Sequence, residues 1–322
     1  MRFVSIPQNG ASWSDKLIYS FDTELDEPTD VDVEIYNQTT HQLIARKRLY
    51  GVTQAEVDIA PILRSAIEMR VDSVESTMVQ SSLMGCRVAV GIMDLMSVER
   101  LFCAANIDLL HPKMMSCVPD KLVMGYGESL FFSVVAPDGL QVKIVEYTPT
   151  SKRSITLTPD RDLMLYDVVI CTSSLRGNVE RIEVSVNSDS ELLASFECRV
   201  ELQPPAGHRL VWRNRQGALE SYLFPKSLPL VSEVDIDTFS TSAGLMSKIR
   251  GSRERYRLCS ALECGKVLQS LREIIYAPHI YEMRLDKLSD VVLATRRMEY
   301  GKHGELQSVA LEVVGDLRGG EL

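Results

Sequence analysis

Residues 209–224 read Arg209-Leu-Val-Trp-Arg-Asn-Arg-Gln-Gly-Ala-Leu-Glu-Ser-Tyr-Leu-Phe224, and this stretch decides the class of fold. Gln216-Gly217 lies at its middle, with apolar and polar residues alternating on both sides, the pattern of a β-hairpin. A two-residue turn at Gln216 and Gly217 predicts that Arg213 faces Glu220, Trp212 faces Ser221, Val211 faces Tyr222 and Leu210 faces Leu223. One face then carries Leu210, Trp212, Leu219 and Leu223. The other carries Val211, Tyr222 and Phe224 with an Arg213–Glu220 charge pair. A lone hairpin is marginal in water, and both faces are at least half apolar, so both need cover. Trp212 is expected in the core, because large aromatics dominate cores. The alternative is a ligand platform formed with Tyr222 and Phe224.

Upstream, Gln203-Pro-Pro-Ala-Gly207 reads as a linker, since two prolines remove donors and bias the chain extended. Short strands separated by turn signals predict a β-sandwich over residues 1–110 and a second over 111–203. In the first, Val31-Asp-Val-Glu-Ile-Tyr36 alternates strictly and places Val31, Val33 and Ile35 inward. A short helical turn is expected after Pro61. In the second, Glu128–Val135 and Gln141–Tyr147 flank a Pro-Asp-Gly turn ending at Gly139.

Downstream, residues 204–322 read as a C-terminal β-hairpin/helix domain. Ser232–Ser252 is polar and is expected to be a loop around Ser-Thr-Ser-Ala-Gly244, before a strand at Arg253–Leu258. Ser260-Ala-Leu-Glu263 has the pattern of a capping box, in which hydroxyl and carboxylate satisfy donors at a helix start. The helix is expected to run to about Ile275, with Cys264, Val267, Leu268, Leu271 and Ile275 as its apolar stripe, and to stop at Pro278. Strands at 279–285, 291–300 and 305–314 follow, the last two around Gly301–Gly304. The fold class is therefore mainly β: tandem β-sandwich domains followed by a C-terminal β-rich domain carrying one amphipathic helix.

Composition narrows the function classes. Hydrophobic residues make up 45% and charged residues 25% of the 322, ordinary for a soluble globular protein. No apolar run approaches 18 residues, and Met1–Gly10 lacks an apolar stretch of the secretory kind, so neither a membrane span nor a secretory signal is expected. Cys86, Cys103, Cys117, Cys171, Cys198, Cys259 and Cys264 are scattered and odd in number; they read as reduced thiols of a chain kept in a cytoplasm. Neither they nor the five histidines show a metal spacing. No metal and no cofactor is expected. Of the net charge of -9, residues from Pro204 onward contribute 17 basic against 15 acidic, and the rest 18 against 29. That acidic majority argues against wrapping nucleic acid.

No catalytic constellation can be placed. Gly125-Tyr-Gly127 lacks the third glycine of a nucleotide loop, Asp26-Glu27 and Asp235-Ile-Asp237 are too sparse for a calcium loop, and no serine has a neighbouring histidine motif. Arg253, Arg255 and Arg257 would share one strand face, either as a basic stripe for an acidic partner or as a solvated face that resists edge pairing.

The stretch from Leu210 to Phe224 resembles a Trp-x-Asn-x-x-Gly-x-x-x-x-(Tyr/Trp)-x-Phe pattern of tail and virion structural proteins from phages and prophages of Bacteroides-group bacteria. A basic strand, an amphipathic helix ending near Ala277-Pro278 and two strands around a Gly turn follow in similar order. Asp58–Arg64 is similar to an N-terminal Asp-Ile-x-Pro-x-Leu-Arg stretch of that group. The likeness covers 204–314 and, loosely, 1–70. It implies a non-enzymatic subunit of a phage tail or baseplate, made in a bacterial cytoplasm and assembled by self-contact with itself and other tail proteins. The candidate interface is Val211, Trp212, Tyr222 and Phe224 with the Arg253–Arg257 stripe, which could meet the acidic turn at Asp22, Glu24, Asp26 and Glu27. The rival expectation is a carbohydrate- or protein-binding β-sandwich adhesin module.

Overall fold

The computed structural model describes the chain apart from residues 38–40, 67–78, 81–83, 91–94, 160–163, 190, 204–205, 243, 278, 285–286, 295–296, 304–305 and 317–322. The expected Pro204-Pro205 linker and the Pro278 stop lie outside the described residues.

The first sandwich sets the sheet Arg2–Ser5, Ile18–Asp22 and Gln54–Asp58 against the sheet containing Thr29–Asn37 and Gln42–Val52. Val31, Val33 and Ile35 point inward with Tyr19, Phe21 and Val57, as their alternation requires. The intervening Asp32 and Glu34 pair outside with Arg48 and Arg46 across the strands. The helix Ala60–Ala66 follows Asp58, whose carboxylate accepts from the Ala60 amide.

In the second sandwich, Ser129–Val135 and Leu165–Cys171 pair at the centre of one sheet, facing a sheet built on Leu140–Tyr147 and Arg181–Ser188. Every residue of Ser129–Val135 is buried. Leu130, Phe132 and Val134 enter the sandwich core, while Phe131 turns to the opposite side and joins Val211, Leu219, Tyr281 and Met283 of the C-terminal domain. Cover on both faces explains why this strand reads almost continuously apolar. One strand of this sheet, Val79–Gln80, arrives from within the 1–110 stretch and pairs with Val168 and Asp167. The two sandwiches are therefore stitched together, not simply strung in sequence.

The C-terminal sheet runs, in order among the described residues, Leu219–Phe224, His208–Arg213, Ile280–Arg284, Lys287–Leu293, Leu306–Asp316, Gly244–Cys259 and Lys226–Thr241. Phe224 and Lys226 are two residues apart yet belong to opposite end strands, so the sheet must curl until its ends adjoin. The helix Gly265–Glu273 fills the concave side with Val267, Leu268 and Leu271, joined by Ile274. Its start differs from the expected capping box: Cys264 is the N-cap and makes no side-chain cap. Ser260 Oγ accepts from the Val309 amide, and Glu263 bridges by its backbone to Gln307, so both are committed to the neighbouring strand. Cys264, expected in the apolar stripe, is exposed. No helix among the described residues is long and apolar enough to cross a membrane.

Candidate functional site

The hairpin forms, but its register differs by one residue from the two-residue-turn expectation. Trp212 faces Glu220, Leu210 faces Tyr222 and Arg213 faces Leu219. Asn214 is the cause. Its amide bonds the Ala218 carbonyl, its carbonyl takes the Gly217 amide, and its Oδ1 accepts from Gln216 and Ala218. The loop thereby becomes three residues closed by Gly217 at φ +84°, where Gly carries no steric cost. A Cβ there would lie 3.2 Å from Ala104 of the first sandwich.

The shifted register reassigns the faces. Leu210, Trp212, Tyr222 and Phe224 all join the helix side, while Val211 and Leu219 turn to the second sandwich. Val211, Trp212, Tyr222 and Phe224 are buried within the chain and are not available to a second molecule. The expected Arg213–Glu220 pair is absent: Arg213 Nη2 binds Asp167 Oδ2 at 2.9 Å. Ser133 donates to the other Asp167 oxygen and accepts from the Leu219 amide. Nearby, Arg209 binds Glu128 at 3.3 Å and the Val123 carbonyl at 2.6 Å, with both side chains nearly inaccessible. A dry polar clasp thus fixes the C-terminal domain to the second sandwich.

Where the first sandwich, the second and the helix converge, a cleft of about 590 Å³ is lined by Ala105, Met114, Cys117, Arg215, Lys266 and Glu273, among others. Glu220 closes its floor, accepting from the Cys117 amide and from Asn214 Nδ2, both at 3.0 Å. Burial pushes this carboxyl up to about 7, against the pull of donors from Cys117, Ser270 and Asn214. Between its unfolded value of 4.5 and about 7, the unfolded chain releases this proton and the folded chain keeps it. Stability is therefore fully present below 4.5 and declines as pH rises to 7, by about 3 kcal/mol for this one group. Glu220→Gln is expected to remove that decline and to raise the melting temperature at pH 8 more than at pH 4. Thermal unfolding across pH 4–8 checks it; parallel profiles for the two proteins would contradict it.

The largest departure from expectation lies at Ser232–Ser252, where a loop was expected. Lys226–Thr241 and Gly244–Cys259 are two antiparallel strands of 16 residues each, paired along their whole length to the turn at Thr241 and Gly244. Among the described residues, only Arg253–Cys259 is paired further, to the strand ending at Asp316. The remainder is, among the described residues, a two-stranded arm, about 30 Å long at ~3.4 Å per residue. At its root Tyr256 donates to Glu282 and stacks on His208 at 4.5 Å, anchoring the arm to the curled C-terminal sheet.

Along the arm the residues sort by side. Glu233 opposes Arg253 and Asp237 opposes Lys248, so the charges share one face. The other face offers Val234, Ile236, Thr238, Ser240, Leu245 and Ser247. Val234, Ile236, Phe239, Met246 and Leu245 are exposed, Leu245 by 77%. Of the expected basic stripe, Arg257 pairs with Glu299, whereas Arg253 and Arg255 are exposed and make no ion pair among the described residues. In the acidic turn, Glu24 is already held by the chain's N-terminal amine and Arg2. The signal for the arm was present in Glu233-Val-Asp-Ile-Asp237, which alternates strictly.

Among the described residues no group of His, Cys, Asp or Glu is arranged for a metal. No protein-family profile and no curated protein matches the sequence. Among solved structures, the chain is similar to a tetra-tandem repeat from the extending region of a large adhesion protein, with 9% identity and a TM-score of 0.23, over 80% of this chain and 68% of that one. It is also similar to Dpr2 Ig1-Ig2 in complex with DIP-Theta Ig1-Ig3, at 11% identity and a TM-score of 0.19, over 62% of this chain and 98% of that one. A third similar structure is a 1.5-MDa bacterial ice-binding adhesin, at 9% identity and a TM-score of 0.16, over 79% and 87% of the two chains. At such TM-scores these likenesses carry no argument about what this chain binds.

Proposed function

We propose that this protein is a non-enzymatic structural subunit that enters a larger protein assembly through its β-arm, with a phage or prophage tail or baseplate as the setting the sequence resemblance implies. The arm carries the reading. A two-stranded ribbon is marginal in water, and this one exposes five large apolar side chains, Val234, Ile236, Phe239, Leu245 and Met246. Such a ribbon is a contact element awaiting its partner. Its 21 residues from 232 to 252 match the roughly 20–30 residues a side of a stable protein interface. The second sandwich and the curled C-terminal sheet, clasped by Arg209–Glu128 and Arg213–Asp167, give the arm a rigid base.

The second reading, a carbohydrate- or protein-binding adhesin module, draws on the tandem sandwich body and would use the sandwiches, not the arm. Replacing residues 232–252 by Asn-Gly separates the two. The shortened chain is expected to keep the melting temperature of the body and to stay monomeric in light scattering, while the intact chain gains mass with concentration, less so in high salt. An intact chain that stays monomeric at high concentration, with or without tail proteins, would overturn the subunit reading.

A further inference from the structure

The cleft where the two sandwiches meet the helix is lined by two opposite charges that make no ion pair among the described residues. Glu220, at its floor, is 3% exposed and accepts from the Cys117 amide and from Asn214 Nδ2, with the Ser270 hydroxyl as a third donor. These donors come from three different segments, yet none of them is a cation. Arg215, which also lines the cleft, is committed elsewhere: Glu273 holds its Nε and Nη2 at 2.7 and 2.8 Å, and its guanidinium lies 4.5 Å over the Tyr276 ring. A buried carboxyl without a counter-charge stays protonated, and burial does push this one up to about 7. On the first turn of the helix Gly265–Glu273, Lys266 lines the same cleft and is exposed. Ala105, Met114, Met115 and Cys117 supply the apolar part of the wall, and methionine adapts readily to irregular shapes. The volume of about 590 Å³ is that of a pocket enclosing a small ligand.

We propose that this cleft binds a small zwitterion of the amino-acid or short-peptide class, with its ammonium on Glu220, its carboxylate on Lys266 and an apolar side chain against Met114 and Met115. The two charges select this class. A purely anionic ligand would leave the buried carboxyl without a cation, and a purely cationic one would leave Lys266 without an acid. The ligand ammonium supplies the counter-charge that lets Glu220 ionise, and a charge-assisted hydrogen bond is roughly twice as strong as a neutral one. A carboxylate beside the first turn of the helix is favoured further by the helix dipole. A ligand seated here touches residues 114–117, the hairpin loop and the helix together, so binding stabilises the joint between the sandwiches and the C-terminal domain. The cleft contains no residue of the arm, and this inference stands apart from the assembly reading.

Leucyl-leucine is the probe, offered to the full-length chain in thermal unfolding and titration calorimetry. Two capped forms serve as controls: N-acetyl-leucyl-leucine lacks the ammonium, and leucyl-leucine amide lacks the carboxylate. Leucyl-leucine is expected to raise the melting temperature with concentration, and each capped form to bind at least about tenfold more weakly, the worth of one hydrogen bond to a charged group. Glu220→Gln is expected to bring leucyl-leucine down to the affinity of the acetylated form, and Lys266→Met down to that of the amide. Proton release gives a second readout. At pH 6 the Glu220 carboxyl is mostly protonated, so docking of the ammonium drives its proton into the buffer. Of the other ionisable groups on the cleft, burial pushes the Cys117 thiol up to about 11, Arg215 holds Glu273 down, and Arg215 and Lys266 are basic, which leaves Glu220 as the source. Titrations in buffers of different ionisation heat are expected to show this release in the unaltered chain and not in Glu220→Gln. No binding of leucyl-leucine at millimolar concentration, equal binding of the capped forms, or binding at pH 6 without proton release would overturn the proposal.

Discussion

Trp212→Ala is expected to lower the free energy of unfolding by roughly 3–5 kcal/mol, the range for deleting a large buried aromatic. Trp212 is 1% exposed and packs in the cluster that joins the hairpin to Leu268 and Leu271 of the helix and to Leu311 and Val313 of the neighbouring strand. Emptying that position removes the contact between the helix and the sheet that curls around it. Urea unfolding followed by far-ultraviolet circular dichroism gives the number. A loss under about 1 kcal/mol would be typical of a surface substitution and would mean that the ring lies outside the core.

Arg209→Met is expected to cost a similar amount, roughly 3–5 kcal/mol, for a different reason. The substitution leaves the Glu128 carboxylate buried with its cation gone, and the Val123 carbonyl without its donor. Replacing both members, Arg209→Met with Glu128→Met, is expected to recover much of the loss, because no lone charge then remains. A double-mutant cycle in urea measures this. A mild single-site loss would mean that water reaches the joint between the second sandwich and the C-terminal sheet.

Much of the framework was legible in the residues. Strict alternation placed Val31, Val33 and Ile35 inward, and the Gly217 position of the hairpin turn followed from its need for positive φ. The hairpin register was not legible from the turn dipeptide, because it depends on Asn214 closing a three-residue loop with its own side chain. One residue of slip exchanges the faces of Tyr222 and Phe224, since strand side chains alternate with period two. The capping box failed because Ser260 and Glu263 satisfy neighbouring strands before the helix begins. The arm was hidden by composition: Ser, Thr and Gly suggested a loop, while the alternation of Glu233, Asp235 and Asp237 with Val234 and Ile236 was a strand signal. The Val79–Gln80 exchange left no signal, because two residues have no periodicity to read.

Hydrogen exchange on the arm tests the central claim most directly. Among the described residues the Lys226–Thr241 strand ends its sheet, so in dilute protein the arm is expected to exchange its amides faster than the core strands. In concentrated, assembled protein the account predicts that amides of the arm gain protection, while the Ser129–Val135 strand, already covered on both faces, stays unchanged. Assembly with the arm amides still exchanging freely would contradict the account and move the contact to the sandwiches.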